Sequence, residues 1–300
     1  MIPLLTALLL VALPEAAFAW GPGFHLQLGT ALLADLSALP PAVAAVLGAY
    51  PNDFLYGCIA ADITIGKKYT SFLQHCHRWP VARKLLANSE PGARQACAYG
   101  YLSHLAADIV SHCYYVPYSI MRSYQTVMLN HAYWEVRFDS RTPPEIWAVG
   151  RRVALEHFEE NDAMLRREIA NTIFSFGTNK KIFNSILLLS KLEKWQQLIA
   201  TMHDISRFQL EDAEADEYAE LARLAVVETL AAVDTSRWSA ADPTGEQALT
   251  VAAAVRKNLR LLYRTGKISR EDAAGELERS RVCLRRAILV PDLLRQIHVS

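Results

Sequence analysis

Strand signals are nearly absent from this chain. It holds no Asn-Gly or Asp-Gly, the dipeptides that close two-residue hairpins, and no long run of alternating β-branched residues. A sheet-built fold is therefore set aside. Net charge is absent too, since 31 basic residues balance 31 acidic ones. That removes any general electrostatic pull toward nucleic acid, though not a local basic patch. The five cysteines, at positions 58, 76, 97, 113 and 283, are odd in number and irregularly spaced, with no C-x-x-C. They spell no disulfide framework. At most two pairs can form in an oxidising compartment, and at least one thiol stays unpaired within the chain. No repeat or low-complexity tract is evident. Past the N-terminus no segment resembles a membrane span.

The N-terminus itself reads "MIPLLTALLLVALPEAAFAW". An apolar run from Leu4 to Leu13 is followed by Ala17-Phe18-Ala19, an A-x-A pattern that fits signal-peptidase cleavage after Ala19. No Lys or Arg precedes the run, and the run is short for a membrane span. Residues 1–19 are expected to be a signal peptide, with an uncleaved anchor as the alternative. Export follows, to the periplasm or the medium. Residues 20–300 are expected to form one all-helical domain, with a ligand-bearing core over 20–140 and a helical extension over 141–300.

Hydrophobic residues make up 52% of the chain and charged residues 21%, an ordinary globular balance. Helical periodicity is widespread. It predicts helices over 24–36, 81–88, 95–115, 120–138, a long one over 145–174, and then 181–208, 211–234, 246–265 and 270–289. Thr142-Pro143-Pro144 breaks the chain, Asp242-Pro243-Thr244-Gly245 is a turn, and Ser269 with Asp272 resembles a capping box.

The informative stretch is "GYLSHLAADIVSHCYY", with His104, Asp108 and His112 at every fourth position. Such positions differ by about 40° in direction, so the three share one side of a helix. The residues between them are mostly apolar, and a carboxylate and two imidazoles there face desolvation unless something compensates. A divalent cation does so, and zinc takes both ligand types. Yet His104 and His112 lie about 12 Å apart along a straight helix. One ion cannot readily take both, which points to more than one metal with Asp108 able to bridge. A helix with two satisfied histidines and a paired aspartate is the plain alternative.

Four further elements add ligand types. "LNHAYWEVRFD" repeats the i,i+4 arrangement in His131 and Glu135. With His112 these would make a three-ligand zinc site with an open position. Asp62 follows an apolar stretch in "YGCIAADITIG", where a cap or turn role is equally available. "FLQHCHRWP" offers His75 and His77, of which one is needed; His77 is preferred and His75 is the alternative. In "AWGPGFH", cleavage after Ala19 would free the Trp20 amine, which with its own carbonyl could chelate a metal beside His25.

Taken in order, Trp20, His25, Asp62, His77, His104-x-x-x-Asp108, His112 and His131-x-x-x-Glu135 resemble the trinuclear zinc-dependent phospholipase C family over roughly residues 20–140. Single-strand-specific zinc nucleases share its helical fold. The resemblance implies an all-α, multi-helix bundle of the phospholipase C and zinc nuclease type. It implies three Zn2+ ions. Asp62, His77, His104 and Asp108 would hold the first, and His112, His131 and Glu135 the second. Trp20 through amine and carbonyl, His25 and the bridging Asp108 would hold the third. Asp62 would also be the catalytic carboxylate, with a bridging water or hydroxide as nucleophile. The gap from Asp108 to His112 is shorter than the family's usual one. The "WGPGFH" start looks nuclease-like, Glu135 looks phospholipase-like, and no β-rich C-terminal lipid-binding domain follows.

The implied activity is hydrolysis of a glycerophospholipid at a membrane surface to diacylglycerol and a phosphorylated head group. Neither a stable nucleic-acid complex nor a protein partner is expected. One alternative is a single-strand-specific nuclease, with Tyr114, Tyr115 and Tyr118 as a base-stacking platform. Another is a non-catalytic helical zinc-binding exported protein. In "TIFSFGTNKKIFNSILLLSKLEKW", Ile173, Phe174, Phe176, Ile182 and Phe183 with Lys180 and Lys181 could form a membrane-facing edge; the alternative is a buried helix with a solvated Lys-Lys turn.

Overall fold

Proline, which breaks helices in their interior, starts them here. The computed structural model describes residues 20–64, 76–126, 131–169, 175–189, 208 and 210–298. The helices are α1 (Pro22–Ala34), α2 (Pro41–Ala49), α3 (Pro51–Ala60), α4 (Trp79–Ala87), α5 (Ala93–Val110), α6 (Val116–Arg122), α7 (His131–Asp139), α8 (Pro144–Leu155), α9 (Glu159–Glu168), α10 (Phe176–Leu189), α11 (Asp212–Ala231), α12 (Glu246–Arg264) and α13 (Arg270–Ala287). A proline occupies the first or second position of α1, α2, α3, α4, α6 and α8. There its missing N–H is one that no helix satisfies, and its fixed φ is already helical. No strand occurs among the described residues, so the protein is all-α. No described helix is long and apolar enough to cross a membrane.

The predicted helices over 24–36, 81–88, 211–234, 246–265 and 270–289 lie within a few residues of α1, α4, α11, α12 and α13. The Ser269 hydroxyl caps α13 by accepting from the Asp272 N–H at 3.0 Å. Three expectations change. The chain from 41 to 60, assigned no helix, forms α2 and α3, each opened by its proline. The single helix over 145–174 is two, α8 and α9, separated at residues 156–158. The helix predicted over 120–138 is split between α6 and α7. The signal-peptide segment, His75, Ile173 and Phe174 lie outside the described residues.

Helix α5 is the axis. From Ala96 to Val110 nearly every side chain is buried, which is why its apolar residues run all round it. Helices α3, α4 and α11 pack directly on it, and α1 packs on α3. The α3–α5 crossing is very close. A Cβ on Gly57 would lie 2.1 Å from the Cys97 carbonyl oxygen, and one on Gly100 2.1 Å from the Phe54 carbonyl oxygen. Only glycine fits at both positions.

Beyond Val110 the helix does not end but widens into a π-turn, Ser111–Tyr115, where the Val116 N–H reaches back to the Ser111 carbonyl. Pro117 explains it. Proline has no N–H for the Cys113 carbonyl and its ring clashes with that carbonyl, so the regular ladder cannot continue. Helices α12 and α13 then pack against this turn and α6.

Of the two readings of 172–195, the described part fits the buried helix and not the membrane-facing edge. Phe176 and Phe183 are buried in the core. Lys180 turns inward, with Nζ 2.7 Å from Asp162 Oδ2 and 4.7 Å from the centre of the Tyr56 ring. Ile182 and Lys181 remain exposed.

Gly100→Ala tests the α3–α5 crossing. The added methyl meets backbone, which cannot rotate away. The expected loss is about 1–3 kcal/mol or more, the cost of overpacking a tight core. A lower thermal midpoint would register it; an unchanged midpoint would refute the close crossing.

Candidate metal centre

Asp108 lies fully buried near the C-terminal end of α5. Three imidazoles surround it. His25 Nε2, from α1, is 3.2 Å from Oδ1. His77 Nε2, just before α4, and His104 Nε2, one turn back on α5, are 3.2 Å and 3.1 Å from Oδ2. Asp62, in the short 3-10 turn after α3, closes the group: its Oδ1 is 3.3 Å from His77 Nε2 and 3.9 Å from His104 Nε2. The two histidine nitrogens are themselves 3.1 Å apart.

These separations are a direct test of metal fit. Four ligand atoms placed tetrahedrally about 2.0 Å from a zinc ion are about 3.3 Å from one another. Five of the separations among the Asp62, His77, His104 and Asp108 ligand atoms run from 3.1 to 3.9 Å, with Asp62 also grouped with His25 and His104. The contacts are close yet undirected. Neither Asp108 oxygen makes a hydrogen bond of normal geometry, and neither does His25 Nε2 or His112 Nε2. Buried acceptors left this way are costly unless a cation takes them up. The residues fit zinc.

Backbone carbonyls aim the rings. His104 Nδ1 is 2.8 Å from the Cys58 carbonyl oxygen, and His112 Nδ1 is 2.5 Å from that of Pro243. A carbonyl only accepts, so each Nδ1 carries a proton and each Nε2 is the nitrogen turned toward the neighbouring carboxylate. His77 Nδ1 has the Cys76 sulfur at 3.3 Å.

A second group stands beside the first. His131 Nε2 and His112 Nε2 lie 2.9 Å and 3.9 Å from Glu135 Oε1. His112 sits on the π-turn and the other two on α7. Its ring centre is 6.5 Å from that of His77, so the groups are neighbours. His25 stacks on His104 at 3.9 Å and also approaches Asp62. Trp20 is fully buried, its ring against Phe24, Phe138 and Tyr115. Among the described residues Asp62, His77, His104 and Asp108 thus gather with His25, and His112, His131 and Glu135 form an adjoining group; the contacts of Trp20 are those of its ring.

Electrostatics follow burial. Burial alone would raise the Asp108 pKa, but His104, His25 and His77 outweigh it and hold the carboxyl well below its usual range. Burial lowers His25, and nearby His104 lowers it further against the opposing pull of Asp108. A neutral imidazole beside an ionised carboxylate is the ligand-ready state.

One functional neighbour escaped sequence reasoning. Asp139, at the end of α7, accepts from the Gly23 and Phe24 N–H groups at 3.0 and 2.9 Å, the otherwise orphaned donors at the start of α1. A Cβ on Gly21 would lie 2.2 Å from Asp139 Oδ2, and one on Gly23 2.7 Å from the Trp147 ring. Hence both glycines of "WGPGFH". The available signal was spacing, since Asp139 follows Glu135 by one helical turn.

Tyr114, Tyr115 and Tyr118 do not form a stacking platform. They are 1%, 1% and 8% exposed. The Tyr115 hydroxyl donates to the Trp134 carbonyl, that of Tyr114 to Glu217, and Arg122 lies over the Tyr118 ring.

A helical bundle that gathers imidazoles and carboxylates around one buried helix is the framework of a metal-dependent hydrolase. The family model described as zinc dependent phospholipase C matches residues 24–183, more than half of the chain. The protein belongs to the zinc-dependent phospholipase C family, and is a zinc-dependent hydrolase of phospholipase C type. No curated protein and no solved structure matches it.

Asp139 yields a pH prediction. Burial raises its pKa to about 7, partly countered by the Phe24 and Gly23 donors. Its folded value thus exceeds the unfolded one. The native state binds the proton more tightly, so the stability it contributes is full below about pH 4 and lost as pH rises to about 7. Thermal melts of metal-free protein should show wild type losing stability relative to Asp139→Asn across that window. A constant difference would rule the shift out.

Proposed function

We propose that the protein is an exported phospholipase C that hydrolyses a glycerophospholipid to diacylglycerol and a phosphorylated head group, using three zinc ions. The observation that carries the metal assignment is the set of 3.1–3.9 Å ligand separations around His77, His104, Asp62 and Asp108. Asp62, His77, His104 and Asp108 would hold one ion, and His112, His131 and Glu135 a second; His25, the second Asp108 oxygen and the amine and carbonyl of a mature N-terminal Trp20 would serve a third. Residues 20–300 act as one domain.

When bound, zinc supplies Lewis acidity and a water whose pKa falls toward about 7. The chain's own residues do the rest. Asp108 presents its two oxygens in different directions, Oδ1 to His25 and Oδ2 to His77 and His104, which suits a bridge. Asp62 faces His77 and His104, where it can hold a proton taken from the attacking water. Asp62, Asp108 and Glu135 would set three negative charges against the six of three zinc ions, a net of about +3 that would draw a phosphodiester anion to a chain of zero net charge. Burial of the clusters lowers the local dielectric and strengthens that attraction.

Burial of Tyr114, Tyr115 and Tyr118 disfavours a nuclease, which needs exposed rings for bases. Family membership over residues 24–183 supports lipid as substrate.

Asp108→Asn should reduce phosphatidylcholine hydrolysis by more than about a hundredfold, beyond the loss typical of a residue that only supports a ligand. Its helical circular dichroism should persist. Near-normal turnover would contradict the bridge. Release of phosphocholine from lipid, without nucleotides from single-stranded DNA, should distinguish the two chemistries. N-terminal sequencing and metal counting on exported protein should return Trp20 and three zinc equivalents.

A further inference from the structure

Residues 241–245 lie outside the family-matched segment, yet they meet His112 and the two residues that follow His77. The Pro243 carbonyl takes His112 Nδ1 at 2.5 Å. The Cys113 thiol donates to the Asp242 carbonyl at 3.3 Å. Gly245 has φ +58°, and a Cβ there would lie 2.2 Å from the His112 carbonyl oxygen. The turn is therefore pressed against the backbone of the π-turn. Its other side reaches the residues after His77. Trp79 Nε1 donates to the Ala241 carbonyl at 2.9 Å, and Arg78 Nη1 is 3.6 Å from Asp242 Oδ1.

The turn is also fixed internally. The Asp242 carboxylate accepts from the Thr244 N–H at 3.0 Å, the Thr244 hydroxyl at 2.8 Å and the Glu246 N–H at 3.3 Å. That is an Asx turn leading into α12. It aims the Pro243 carbonyl without help from the metal groups.

We propose that residues 241–245 are a positioning strap: they hold His112 with Nδ1 protonated and Nε2 turned toward Glu135 and His131, so that the C-terminal part of the chain is required for the second zinc. The inference rests on the zinc reading of that group. Its physical basis is that a ligating imidazole is oriented and made more basic by the acceptor on its other nitrogen. In the family-matched segment itself no contact to His112 Nδ1 is described; the acceptor comes from 131 residues further along the chain.

Asp242→Ala tests it, because it releases the turn without touching a ligand. Zinc-loaded full-length protein is titrated with a chromophoric chelator. One zinc equivalent should weaken by about 10- to 100-fold, the usual effect of losing a ligand's support. The others should keep wild-type affinity, with unchanged far-ultraviolet circular dichroism. In 15N-histidine-labelled protein, the Nδ1–H resonance that disappears in His112→Gln should shift or exchange rapidly in Asp242→Ala. Ser269→Ala, which uncaps α13 and leaves the strap alone, should retain every equivalent. Wild-type affinity throughout in Asp242→Ala, or an equal loss in Ser269→Ala, overturns the strap. A wild-type protein that holds no zinc overturns the zinc reading and the strap with it.

Discussion

Everything near the centre depends on one ionised carboxylate with no access to water. Asp108 is fully buried on α5, a helix whose side chains from Ala96 to Val110 are nearly all buried. Such a charge is tolerable only where opposite charge or directed donors replace its hydration. Three imidazoles approach it from α1, α5 and the segment before α4. The arrangement makes electrostatic sense as a cage for cations, in which carboxylate and imidazoles face the same positive charge. The fold converges on that point: α3 and α4 bring Asp62 and His77, α1 brings His25, and all rest on α5.

Two candidate ligand pairs were legible because their members sit one helical turn apart, a local pattern. His104 with Asp108 and His131 with Glu135 depend on nothing beyond a single helix. The order of the elements did the remaining work and led to the family. What the sequence withheld is what depends on long separations. Asp139 meets Gly23 across 116 positions, and Pro243 meets His112 across 131. No periodicity encodes either contact. A proline opens a helix as readily as it ends one, and α2 and α3, opened by Pro41 and Pro51, carry too short an apolar pattern for periodicity to find them. The aromatic residues settle between alternatives the sequence left open: Phe176 and Phe183 take the buried-helix reading, and Tyr114 and Tyr115 are core and not a stacking platform. Composition cannot say which side of a helix faces the interior when neighbours cover all of it.

The short step from Asp108 to His112 also finds its physical account. The wide turn imposed by Pro117 gives His112 a backbone that α5 alone would not offer. His112 then belongs to Glu135 and His131, on a different helix, while Asp108 stays with its three imidazoles. A helix defect thus separates two neighbouring groups on one continuous element.

The glycine crossing of α3 and α5 has an electronic outcome. Because Gly57 and Gly100 lack side chains, the two backbones approach until the Cys58 carbonyl reaches His104 Nδ1 at 2.8 Å. Donation to that oxygen pushes electron density toward Nε2 and increases its affinity for a Lewis acid. Two missing methyl groups, well away from any reacting atom, therefore decide which nitrogen of His104 keeps its hydrogen and how strongly the other one gives up its electron pair.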